Sequence, residues 1–131
     1  LSTPEHREVA QLLLQKASED LSAAQALIAT KDQADHVIGF HLQQAVEKAL
    51  KAALAERMIE IPRTHDLGYL AELLENLEIE VPEVVASSDW LTPWGVLFRY
   101  DSYPDALNRD AGLKVATASI SFAEELLGQT G

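Results

Sequence analysis

A chain of 131 residues, 47% apolar and 24% charged, has room for one domain with a hydrophobic core and too much apolar content for a disordered one. Its formal charge of −11, from 10 Lys and Arg against 21 Asp and Glu, opposes non-specific binding of nucleic acid, whose phosphates are held by clustered cations. The absence of cysteine removes disulfides, thiol catalysis and cysteine-ligated zinc together.

The opening LSTPEHREVA is polar and lacks the basic and apolar regions of a secretory signal. No apolar run nears the ~20 residues that cross a bilayer. The expectation is therefore one domain over residues 1–131, in the cytoplasm and away from membranes. Ser2 and Glu5 stand at capping-box spacing, with Pro4 where a first turn accepts proline. A first helix follows over residues 4–29, with Val9, Leu13, Ala17, Ala24 and Ile28 on one face. Counted at ~100° per residue, Asp20 falls in the middle of that apolar stripe and requires a cation, Arg99 first and Lys48 second.

The second helix is carried by ADHVIGFHLQQAVEKALKAALAERM, with Ile38, Leu42, Ala45, Val46, Ala49, Leu50, Ala53 and Leu54 toward the core. Its other side aligns His41, Gln44, Lys48 and Lys51 as one polar ridge, and Glu47 precedes Lys51 in the favourable i,i+4 order. A proline-led turn, IPRTHD, leads into a third helix over residues 66–77 with Thr64 as its cap. A fourth begins at Pro82, bends or restarts at Thr92-Pro93 and ends by Pro104. The last places Leu113, Ala116, Ile120, Ala123 and Leu127 in phase, with Gly128 near its end. No stretch alternates with the period of a strand, so the fold class is all-α, an up-and-down bundle of about five helices.

Candidate chemistry is sparse. His6, His36, His41 and His65 make no metal-binding spacing with one another, and no glycine-rich phosphate loop or serine elbow is present; neither a metal nor a cofactor is expected. Three groups of residues remain: the ridge, the turn holding His65, and RYDSYPDA at 99–106. Lysines one turn apart can grip two phosphate oxygens, and the planar fork of Arg99 matches phosphate or carboxylate. The same ridge also fits a solvated helix face. Arg99 equally fits a structural pair with Asp20 or Asp101.

FHLQQAVEKALKAAL, IPRTHDLGYLAELL and LTPWGVLFRYD, in that order and spacing, resemble the HEPN domain family over roughly residues 8–127. The resemblance implies an all-α bundle that is usually dimeric. It also implies a partner, a minimal nucleotidyltransferase encoded alongside, in a toxin–antitoxin or defence-type pair, and in many members a metal-independent endoribonuclease activity. By similarity the motif positions are Gln44, Glu47, Lys48 and Lys51, then His65 and Asp66, then Arg99 and Tyr100. The family's ribonuclease signature is an arginine followed by four to six residues and then a histidine; from Arg99 the matching positions hold Pro104, Asp105 and Ala106 instead. An arginine stays protonated and cannot act as a base. The expected function is accordingly a non-catalytic module that dimerises and binds a nucleotide, through Gln44, Lys48, Lys51, His65, Arg99 and Tyr100, or docks the nucleotidyltransferase. Asp20, Glu47, Asp66 and Asp101 are expected in structural polar roles. The alternatives are a ribonuclease toxin with a non-standard acid/base pair and a bundle without a ligand.

Overall fold

The computed structural model describes residues 3–31, 34–96 and 106–129. They form α1 (Pro4–Thr30), α2 (Asp35–Glu56), α3 (Leu67–Asn76), a single turn α4 (Glu83–Ala86), a 3₁₀ helix (Ser88–Gly95) and α5 (Arg109–Gln129), with no strand among the described residues. The all-α architecture expected from the periodicity is what is found. No helix among them is long and apolar enough to cross a membrane.

α2 is the axis of the assembly and packs against α1, α3, the 3₁₀ helix and α5. All eight residues assigned to its core side, from Ile38 to Leu54, are fully buried. Glycines let neighbouring elements come close: a Cβ on Gly39 would stand 2.5 Å from the Trp94 ring, and one on Gly112 of α5 would stand 2.6 Å from Leu42.

The buried line of α1 keeps Ala17 and Ala24 of the expected stripe but starts at Ala10 rather than Val9. It runs Ala10, Ala17, Ala24, each fully buried, flanked by Leu14 and Leu21, whereas Val9 is 44% exposed. Small side chains every seven residues let α1 lie close along α2, and the bulkier Val9 and Leu12 are left at the surface. The N-cap of α1 is Thr3, whose hydroxyl accepts from His6 N at 3.2 Å; Ser2 lies outside the described residues. α3 is capped by Asp66, accepting from Tyr69 N at 3.1 Å, while Thr64 braces Asp66 by accepting from its N–H.

The fourth helix breaks earlier than expected. α4 stops at Ser87, whose hydroxyl donates to Glu83 O at 2.7 Å and competes with the helical ladder. The chain continues as a 3₁₀ helix that contains Pro93. Its expected end near Pro104 lies outside the described residues.

At one end of the bundle Arg7 of α1 fastens the other two long helices. It lies 3.6 Å from the buried Glu56 at the end of α2 and donates to the Leu127 carbonyl of α5 at 3.2 Å. At the other end Arg109 pairs with Asp35 at 2.9 Å, and the same carboxylate accepts from Leu107 N.

Candidate functional site

The polar ridge of α2 lies between α1 on one side and the turn ahead of α3 on the other, and its residues are half-buried rather than fully solvated. Both flanks are organised by a carboxylate. On the α1 side Asp20 accepts from Lys48 Nζ at 2.6 Å and from His41 Nδ1 at 2.9 Å, with its own side chain 13% exposed. The misplaced carboxylate in the α1 stripe thus finds the second of its two expected partners, plus a histidine from the same ridge. Arg99 lies outside the described residues.

On the other flank Glu47 is the centre of a larger network. Its side chain is 6% exposed and accepts three donors: Lys51 Nζ at 3.0 Å on one oxygen, Gln43 Nε2 at 3.1 Å and His65 Nδ1 at 2.8 Å on the other. A deeply buried carboxylate costs several kcal/mol unless charge and hydrogen bonds compensate it, and here both are supplied. The expected Glu47–Lys51 pair is present, but in a buried setting rather than at the surface.

Gln43 is the residue that sequence reasoning missed. Fully buried, it donates to both Glu47 Oε1 and the His65 carbonyl (3.1 Å each) and accepts from Gln44 Nε2 at 2.9 Å. Both amide hydrogens are used, so the turn carrying His65 is tied to α2 through its backbone as well as its ring. Gly95 makes room for this amide, since a Cβ there would stand 2.7 Å from Gln43 Cδ. The available signal was the Gln43-Gln44 doublet with Glu47 one turn later.

His65 is anchored in this way yet 71% exposed along its side chain. A carboxylate can only accept, so Nδ1 carries the proton toward Glu47 and Nε2 faces away from it. His41 is held through Nδ1 by Asp20 in the same manner but is only 29% exposed, with Phe40 edge-on at 5.6 Å.

Gln44, Lys48, Lys51, His65, Asp20 and Glu47 are thereby brought into two adjoining networks on α2. Asp66 stays apart as the α3 cap, while Arg99, Tyr100 and Asp101 lie outside the described residues. The two lysines meet two carboxylates, so this part of the ridge carries no net charge from them. No group of three or more His, Asp or Glu able to hold a metal is found among the described residues.

The HEPN domain model matches residues 10–129 of this chain, which takes in both networks and every described helix in whole or in large part. No curated protein and no solved structure matches it.

Proposed function

The chain belongs to the HEPN domain family, and on that premise we propose that it acts as a non-catalytic binding module, which dimerises and holds a protein partner of the minimal nucleotidyltransferase kind through the ridge of α2. A two-gene toxin–antitoxin or defence pair in the cytoplasm is the setting that the family resemblance implies. The observation that carries the reading is the pairing of Lys48 with Asp20 and of Lys51 with Glu47, at 2.6 and 3.0 Å. A nucleotide phosphate would have to compete with those carboxylates for the same ammonium protons, in a chain of charge −11. A protein surface asks only for hydrogen-bonding groups held in fixed positions, and the two networks supply them.

The test is calorimetric titration of the full chain with ATP, beside light scattering for its mass. The expected results are a dimer mass and no saturable heat from ATP at tens of micromolar. Saturable binding that disappears in Lys51→Ala would replace the protein partner with a nucleotide, and a monomer mass would remove dimerisation.

One observation favours a second reading, a metal-independent ribonuclease. The Nε2 of His65 faces away from Glu47 and is positioned to take a proton, and Arg99 could supply charge to a phosphodiester. Single-stranded RNA incubated in EDTA with wild type, Arg99→Ala and His65→Ala decides it. The expected result is no cleavage by any of them; cleavage abolished by both substitutions makes ribonuclease the function.

A further inference from the structure

The side of the molecule built from α3, α4 and the 3₁₀ helix carries a second polar region, separate from the ridge. A cleft of about 520 Å³ opens there, reaching from α3 across Ala86 of α4 to Asp89 of the 3₁₀ helix. Its placement follows from local packing. Thr92 Oγ1 accepts from Leu67 N at 3.0 Å and ties the start of α3 to the 3₁₀ helix. The missing side chain of Gly68 lets Asp89 come alongside, since a Cβ at Gly68 would stand 3.0 Å from Asp89 Cβ.

Two properties of the cleft point the same way. Tyr69, which lines the cleft, is 46% exposed, and beyond its lining Val84 of α4 and Trp90, next to Asp89 on the 3₁₀ helix, are exposed at 39% each. Aromatics with one face in water are enriched where protein surfaces meet. Among them Asp66, Glu72, Glu75 and Asp89 line the cleft with no lysine or arginine, and residues 64–96 contain neither. None of the four carboxylates takes part in an ion pair among the described residues.

We propose that this cleft docks a cationic amphipathic segment of a partner protein, its Lys or Arg side chains against Asp66, Glu72, Glu75 and Asp89 and its apolar side chains against Tyr69 and Trp90. The charge selects the occupant. Nucleotides, RNA and anionic membranes are repelled by four carboxylates, and a second copy of this chain carries the same sign. An uncharged hydrophobic segment would cover the aromatics and leave the carboxylates without partners. The inference goes beyond the ridge reading and uses none of its residues, so either can fail without the other.

The probe is a synthetic helical peptide of leucine and lysine in amphipathic order, titrated into the isotope-labelled full chain and followed by amide chemical shifts. Two controls are the same peptide with glutamate for lysine, and an oligolysine of equal charge without leucine. Shifts are expected over residues 66–76 and 84–95. Affinity should fall about tenfold in Glu72→Lys/Asp89→Lys and about as much in Tyr69→Ala/Trp90→Ala, with thermal melts showing each variant folded. The same charge change on α1, Glu8→Lys/Glu19→Lys, should move affinity no more than about twofold, since neither residue lines the cleft and exposed charges away from the contact are weakened by salt. Equal loss from the α1 pair, shifts spread over the whole surface, or equal binding by oligolysine would overturn the proposal, because each would reduce the contact to net charge.

Discussion

On the α2 ridge, Asp20 and Glu47 are mostly removed from water, and each is met by a lysine and a histidine. In the α3 cleft, Asp66, Glu72, Glu75 and Asp89 are all exposed and none is met by a cation among the described residues. The residue types are alike and the solvent is not. Water stabilises a carboxylate as well as a lysine does, so pairing becomes compulsory only where water is excluded. The ridge charges are therefore bound up with the stability of the fold, whereas the cleft charges, apart from Asp66 as the cap of α3, contribute little to it and are available to something outside the molecule.

The largest expected effect comes from removing the centre of the ridge network. Glu47→Ala strands Lys51, 12% exposed along its side chain, together with the buried Gln43 amide; it should destabilise by about 3 kcal/mol in denaturant melts. A loss under about 1 kcal/mol would show that water already reaches this pair and would dissolve the contrast with the cleft. On the other flank Asp20→Ala should cost about 2 kcal/mol, and the Asp20→Ala/Lys48→Ala double variant should lose less than the two single losses combined. Strict additivity there would mean the 2.6 Å contact has no energetic consequence.

Two glycines sharpen the comparison without touching a charge. An added methyl at Gly95 meets the Gln43 amide at 2.7 Å, inside a network with no room to yield, so Gly95→Ala should cost about 2 kcal/mol. At Gly68 the methyl meets Asp89 Cβ at 3.0 Å. Alanine gains up to ~1 kcal/mol of helix propensity there and the bordering cleft is open, so Gly68→Ala should lie within about 1 kcal/mol of wild type. The smallest effect is expected from Glu72→Lys, within about 0.5 kcal/mol and on the stabilising side if the carboxylates repel one another. A loss beyond about 1 kcal/mol would mean that the cleft, too, is part of the structural framework.

How far the sequence could be read divides along physical lines. The α2 core stripe was legible residue by residue because a central helix shows its apolar face at full width. On α1, Ala17 and Ala24 were legible and only the first position was not, Ala10 being buried in place of Val9, because alanine weighs little as a hydrophobe although it is what permits close approach. Asp20 was legible as a carboxylate out of place, and Lys48 as one of its partners. Gln43 was not: a polar residue at the edge of an apolar stripe looks like surface until the 59–66 turn is folded over it. The break at Ser87 was hidden for a similar reason, since Pro93 is the louder signal and the serine hydroxyl competes more quietly.

Arg7 has a consequence for how the chain reaches this structure. Its bond to the Leu127 carbonyl joins residues 120 positions apart, the longest loop closure of any side-chain contact described above. Closing a loop of that length is entropically late, whereas α2 meets α1 and α3 across short connections. The helices can dock pairwise around α2 first, and α5 then closes onto the start of α1, where Ala10 packs with Leu127 and the Arg7 guanidinium reaches the Leu127 carbonyl. Weakening that contact should leave the refolding rate nearly unchanged and appear as faster unfolding, as happens when a contact is absent from the transition state.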